Sequence, residues 1–202
     1  MKLYYKPGAC SLASHILLKE IDADFEIESV NTSTGITETG DDYTKINPKG
    51  YVPALALRKD MVITEGPAIL QYLADLTPKS QMLPSLGSES RVKVIEHLTY
   101  VSSELHKAFS PLFNPATDET TKAQAKNTVS KNLEYFNQIF SDGRNYLVDN
   151  KVSIADLYLF VVCNWCSFVG ISLEETPHLS SFVSRMANRP SSLAAMKAGG
   201  LF

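Results

Sequence analysis

Hydrophobic and polar positions follow two rhythms along the chain, and the change falls near residue 78. Before it, apolar runs are short and the element type keeps switching. Leu3-Tyr4-Tyr5 is strand-like, Pro7-Gly8 breaks it, and residues 11–18 have the apolar content of a helix. Residues 24–30 alternate polar and apolar, the period of a second strand. Residues 31–42 are rich in Thr, Gly and Ser and predict a loop, followed by one helical turn over residues 42–46. Residues 54–57 and 61–63 are two more strands, joined by the polar turn Arg58-Lys59-Asp60. A helix opens at Thr64-Glu65-Gly66-Pro67, with Thr64 as its N-cap and proline in the first turn, where it is tolerated. The order βαβ followed by ββα predicts a compact α/β domain over residues 1–77.

Residues 78–88 hold Pro78, Pro84 and Gly87 among serines, without periodicity, and predict a linker. Residues 89–202 then show helical spacing only. Val94, Leu98, Val101, Leu105, Ala108 and Leu112 recur every three or four residues, the stripe of one long amphipathic helix disturbed near Pro111. Ala125, Val129, Leu133, Phe136 and Phe140 mark a second helix. Ser153-Ile154-Ala155-Asp156 has the spacing of a capping box, with Asp in place of the usual Glu, ahead of the apolar residues 157–169. Residues 178–188 and 191–197 predict two shorter helices. The fold class is therefore α/β followed by all-α.

Composition narrows the function classes. With 202 residues, 44% hydrophobic and 20% charged, the chain has the make-up of an ordinary soluble globular protein of one or two domains. A net charge of −3 and the lack of a Lys/Arg cluster argue against a nucleic-acid surface. No apolar run reaches the ~18 residues of a membrane span, and the N-terminus lacks a signal-peptide pattern. Three cysteines make no disulfide framework, so the expected compartment is the cytoplasm.

Several positions can carry chemistry. Cys10 stands at the mouth of the first helix, where unpaired N–H groups and the helix dipole stabilise a thiolate; a small buried filler is the other reading. Val52-Pro53, if cis, leaves the Val52 backbone free at a sheet edge to pair with a peptide; a trans loop is the alternative. Glu65 and Gly66 at a helix start suit a ligand carboxylate and ammonium, or plain capping. Thr99, Ser103 and His106 fall at i, i+4 and i+7, one helix face, with Lys107 beside it and Glu104 pointing elsewhere. That face either is solvated or turns towards Cys10. Cys163 and Cys166 match a redox spacing but lie inside the most apolar helix, so they are expected as core filler. His15 and His97 are expected as surface or satisfied core residues, and no metal site is expected.

The chain resembles the cytosolic glutathione S-transferases over its whole length, most closely the bacterial beta class. The resemblance rests on Met1-Lys2-Leu3-Tyr4-Tyr5 with Pro7-Gly8-Ala9-Cys10-Ser11-Leu12, and on Ile46-Asn47-Pro48-Lys49-Gly50-Tyr51-Val52-Pro53. It rests equally on Thr64-Glu65-Gly66-Pro67-Ala68-Ile69, Ser103-Glu104-Leu105-His106-Lys107 with Ser110-Pro111-Leu112-Phe113, Ser153-Ile154-Ala155-Asp156 and Arg185-Met186-Ala187-Asn188-Arg189-Pro190. It implies a thioredoxin-like first domain, an all-helical second domain lining a hydrophobic cleft, and a homodimer. It implies glutathione as co-substrate, without metal. Val52 would precede a cis Pro53 and pair with the cysteinyl backbone. Glu65 and Gly66 would receive the γ-glutamyl end. Ala9 and Cys10 would bind glutathione, Cys10 touching its sulfur, with His106 and Lys107 close to that sulfur. Thr99 and Ser103 would bind the tripeptide, with Glu104 supplied by the partner subunit. Gly35 stands where the class often has a lysine for the glycyl carboxylate, which predicts weaker glutathione affinity. Thr99 stands for asparagine and Asp149 for glycine.

The expected function is transfer of glutathione to small hydrophobic electrophiles, with Phe109, Phe113 and Trp165 as cleft walls. Cys10 adds thiol–disulfide exchange or peroxide reduction. The alternative is a non-catalytic binder of glutathione and hydrophobic ligands.

Overall fold

The computed structural model describes residues 1–77 and 81–201. Residues 78–80 of the expected linker and residue 202 lie outside the described residues; residues 81–88 run without helix or strand. The chain divides into two compact units, Met1–Leu83 with Arg189–Phe202, and Pro84–Asn188.

The first unit runs β1 (Lys2–Tyr5), α1 (Ser11–Glu20), β2 (Glu26–Asn31), β3 (Ile36–Thr37), a 3₁₀ turn (Tyr43–Lys45), β4 (Ala54–Arg58), β5 (Met61–Thr64) and α2 (Gly66–Leu76). The strands form one sheet in the order β3-β2-β1-β4-β5, with β1 parallel to β2 and antiparallel to β4. The βαβ-ββα order stands, with the two-residue β3 added inside the expected loop. Side chains alternate across the sheet. Leu3 and Leu55, paired across β1 and β4, are fully buried, as are Ile16, Leu17, Ile69 and Leu70 of the packed helices α1 and α2. Tyr4 and Ala54, one residue along, join Val30 and Tyr43 in a smaller cluster that also takes in Val52.

The second unit holds α3 (Glu89–Tyr100), a π-helical turn (Val101–Leu105), α4 (His106–Ala108), α5 (Ser110–Phe113), α6 (Glu119–Phe140), α7 (Ile154–Phe168) and α8 (Pro177–Ala187). Helix α7 is buried continuously over its first ten residues, from Ile154 to Cys163. The capping box of Ser153 and Asp156 starts it: the Ser153 N–H and Oγ–H donate to Asp156 Oδ2, and the Leu147 N–H donates to Oδ1 at 2.9 Å. Burial drives the Asp156 carboxyl up and these bonds draw it back, to about 6.

Three expectations change. The helical domain expected over residues 89–202 stops at Asn188, because α9 (Pro190–Ala198) packs on α1 of the first unit. Glu20 of α1 accepts hydrogen bonds from the Arg189 guanidinium and the Ser191 hydroxyl and holds α9 there. The N-cap of α2 is Glu65, because Thr64 is still paired with Ala54 in the sheet. His15 and His97 are buried, and His15 Nε2 and His97 Nδ1 have no partner among the described residues, so neither is a satisfied core histidine.

Asp149 has φ +51 and Asn150 φ +51, the two central residues of a turn closed by Lys151 N–H to Val148 O at 3.1 Å. Left-handed φ at both positions is where glycine is at ease and Asp or Asn is tolerated.

Candidate functional site

In the sheet unit the site is made of backbone. Cys10 is the N-cap residue of α1, and its loop is closed by Ser11, whose Oγ accepts from the Lys6 N–H at 3.2 Å. The half-buried Cys10 thiol donates to the Val52 carbonyl at 3.4 Å. Val52-Pro53 is cis. Pairing of β4 with β5 begins at Ala54, so Val52 lies just beyond it, and its N–H has no acceptor among the described residues. Two side chains missed by sequence reasoning hold this edge in place. Tyr43 Oη and Asn47 Nδ2 both donate to the Tyr51 carbonyl, at 2.8 and 2.6 Å. Both are buried, and burial pushes the Tyr43 phenol up to about 12, so it stays a donor. The Asn47-Pro48-Lys49-Gly50 turn was a signal for Asn47; nothing local marked Tyr43.

Glu65 has φ +70 and ψ 117, rare for a residue with a side chain, and strain of this kind costs about 1–3 kcal/mol. Its exposed carboxylate accepts from Lys49 Nζ at 2.7 Å, and Lys49 also donates to Thr64 Oγ1 at 3.0 Å. Lys49 is thus a cation already seated on Glu65, and it was not among the expected site residues. Gly66 is buried at the first turn of α2. Ala9 is half-buried and closes the Cys10 loop through its N–H to Lys6 O at 3.1 Å. Gly35 lies in the turn before β3 with φ +70; its carbonyl accepts from the Tyr43 N–H at 2.8 Å. A lysine there would have to adopt a left-handed backbone.

In the helical unit the site is made of side chains. The π turn Val101–Leu105 takes in one more residue per turn than an α-helix, so the residues after it lag by about 100°. Thr99, Ser103 and Glu104 remain exposed, whereas His106 is carried off their line and half-buried. The single face expected for Thr99, Ser103 and His106 is thereby broken. Lys107 stays exposed. The His106 ring meets two residues of α7: its Nδ1 is 2.7 Å from Tyr158 Oη, and its plane stands at 80° to Trp165 with centroids 4.7 Å apart. Burial first, and the Lys107 charge second, push His106 down to about 4, so it is neutral near pH 7. Phe113 is 48% exposed and meets Trp165 edge-on at 5.6 Å. Phe109 is 0% exposed and Trp165 5%, so neither of these expected walls is a surface; Phe109 stacks on Phe113 and meets Trp165 edge-on. Cys163 and Cys166 are buried in α7. Burial pushes both thiols up, Cys166 to about 12, so neither is a thiolate near neutral pH.

Among the described residues no group of three or more His, Cys, Asp or Glu gathers to hold a metal, and no helix is long and apolar enough to cross a membrane. The sheet order, the cis Val52-Pro53 before β4 and the Cys10 turn define a thioredoxin-like domain, joined in one chain to a helical domain. The family models for the N-terminal and C-terminal domains of glutathione S-transferase match residues 1–75 and 100–190. Glutathione S-transferase GstA of Escherichia coli O157:H7 is 47% identical over 201 residues, covering 100% of both chains. The structure of a bacterial beta class glutathione S-transferase from Sphingomonas chungbukensis has a TM-score of 0.96 at 42% identity, again over 100% of both chains. A sphingomonad glutathione S-transferase solved with glutathione has a TM-score of 0.95 at 44% identity and 100% coverage of both. The chain belongs to the glutathione S-transferase family, in its bacterial beta class.

Proposed function

We propose that this chain transfers glutathione to small hydrophobic electrophiles, and that Cys10 adds thiol–disulfide exchange and peroxide reduction. The observation that carries the reading is the 3.4 Å contact between Cys10 Sγ and the Val52 carbonyl. A tripeptide pairing with the Val52 backbone as an added strand lays its cysteinyl sulfur beside Cys10. The γ-glutamyl ammonium takes the place on Glu65 now held by Lys49 Nζ, 2.7 Å from the carboxylate. The γ-glutamyl carboxylate meets the first turn of α2 at Gly66, at the positive end of the helix dipole. Thr99 and Ser103 add polar contacts, and in a homodimer Glu104 of the partner subunit adds another. With Gly35 in place of a lysine, the glycyl carboxylate lacks a cation there and affinity is lower.

In conjugation the glutathione thiolate attacks the electrophilic carbon; the S–C bond forms and the leaving group departs with its electron pair. His106 donates a hydrogen bond to the thiolate and Lys107 contributes positive charge. Phe113 offers apolar surface to the electrophile, and the buried Trp165 supports it from beneath. In disulfide exchange the Cys10 thiolate attacks one sulfur of oxidised glutathione. Its S–S bond breaks, a Cys10–glutathione disulfide forms, and one glutathione thiolate leaves to take a proton from water.

Intact mass after incubation with oxidised glutathione tests this, together with turnover of an aryl chloride and reduced glutathione. The wild type is expected to gain one glutathionyl group, Cys10→Ala none, and the wild type to release chloride. An adduct on Cys163 or Cys166, or none, overturns the role of Cys10. Glutathione binding without chloride release makes the chain a binder.

A further inference from the structure

Helix α7 carries a buried phenol that the transfer chemistry above does not use. Tyr158 is 3% exposed, and its hydroxyl lies 2.7 Å from Nδ1 of His106. Trp165 stands two helical turns further along the same face of α7 and meets the imidazole at 80°, so ring position and ring rotation are both set from one rigid helix. A neutral imidazole has two tautomers, and the partner of one nitrogen decides which form is present. A phenol is a good donor and a poor acceptor, whereas a bare imidazole nitrogen is a good acceptor. The favoured arrangement in a contact shielded from water is therefore O–H donating to Nδ1. The ring proton then resides on Nε2, across the ring from Tyr158.

We infer that Tyr158 is a positioning residue: its hydroxyl donates to His106 Nδ1 and fixes the imidazole as an Nε2–H donor. Resting on the reading that His106 meets the glutathione sulfur, this defines what His106 offers there. It gives a neutral, directed N–H that favours the thiolate over the thiol without a proton of its own to gain or lose near pH 7. The positive charge is left to Lys107. The π turn Val101–Leu105 has a purpose in this arrangement, since it brings His106 onto the Tyr158–Trp165 face of α7 and off the exposed line of Thr99 and Ser103.

The test is long-range ¹H–¹⁵N NMR of the imidazole in the full chain at pH 7, with His106 assigned by loss of its signal in His106→Gln. The wild type is expected to show a protonated Nε2 and a bare Nδ1, and Tyr158→Phe a mixture of tautomers. A protonated Nδ1 in the wild type, or a Tyr158→Phe spectrum identical to the wild type, overturns the inference. Ultraviolet titration of bound glutathione separates this from the reading beneath it. Tyr158→Phe is expected to raise the thiol pKa by about one unit, a tenfold fall in its ionisation constant. Binding of S-methylglutathione, which has no ionisable sulfur, is expected to stay within twofold. A tautomer shift with an unchanged thiol pKa supports the role of Tyr158 and overturns the placement of His106 at the sulfur. If Tyr158→Phe binds S-methylglutathione more than tenfold weaker, the phenol holds up the site at large and the inference fails.

Discussion

The candidate residues of the two units are held by different materials. In the sheet unit the decisive features are backbone conformations: Cys10 capping α1, the cis bond before Pro53, and Glu65 at φ +70. In the helical unit they are contacts between rings: His106 on Tyr158 and Trp165, with Phe109 and Phe113 around them. A site made of backbone survives the loss of a side chain and is sensitive to backbone preference. A site made of packed rings is the reverse. Mutation should therefore separate the two units by the sign of its effect as well as by its size.

The largest expected effect is in the helical unit. Trp165 is 5% exposed and touches His106, Phe109 and Phe113, so its removal leaves a hole beneath the proposed electrophile surface. Trp165→Ala is expected to cost about 3–5 kcal/mol of stability and to free the His106 ring. Urea unfolding measures the first; a loss below about 1 kcal/mol would mean that the ring cluster is not what holds this part of the unit together.

The contrast also shows what could be seen in the sequence. The strand and helix order of the first unit was legible because Pro7-Gly8, Arg58-Lys59-Asp60 and Gly66-Pro67 punctuate it, and because residues 24–30 alternate. The same punctuation marked Cys10, Val52 and Glu65, since a backbone-built site depends on residues adjacent in sequence. Strand β3 was hidden because only Ile36 and Thr37 pair, inside a run of turn-forming residues. The π turn was hidden because Val101 and Leu105, four apart and both buried, continue the apolar stripe as if the helix were regular. Tyr158 was concealed by its surroundings: twelve of the fifteen residues of α7 are buried, and a phenol among them passes for core. Its partner His106 lies 52 residues away, and no local pattern connects them. The break at Arg189-Pro190 was visible as a helix end, but not that Glu20 would claim Arg189 and Ser191 for the other unit.

Next in size is the response to acid, where each unit has one histidine that burial holds at about 4. His15 sits between Tyr5 and Phe25, with ring centroids at 6.1 and 5.6 Å, and its Nε2 has no partner among the described residues. Linkage sets the sign. An unfolded histidine takes up its proton near pH 6.5 and the folded one near 4, so stability is full above 6.5 and falls as pH drops towards 4. At pH 4.5 the His15 share is about 2–3 kcal/mol. Urea midpoints at pH 7.5 and 4.5 should lie closer together in His15→Leu than in the wild type. His106 is half-buried and less shielded from water, so His106→Gln should narrow the gap less. An equal or larger narrowing in His106→Gln would reverse the ranking of the two environments.

The smallest effect has the opposite sign and lies in the sheet unit. Glu65 is held at φ +70 although it has a side chain, a conformation that costs about 1–3 kcal/mol. Glycine enters this region without strain but loses about 0.5–1 kcal/mol more conformational entropy on folding. The Lys49–Glu65 pair lost in the exchange is more than half exposed on each side, and such pairs are worth about 0–1 kcal/mol. Glu65→Gly should therefore leave stability level or raise it by about 1 kcal/mol, while removing the carboxylate proposed to hold the γ-glutamyl ammonium. Urea unfolding and calorimetric titration with glutathione read the two quantities on one sample. A steadier protein that binds glutathione at least tenfold weaker would show strain kept at this turn for the sake of the ligand. A less stable protein with unchanged binding would mean that the Glu65 carboxylate, through Lys49 and Thr64, serves the turn and not the tripeptide.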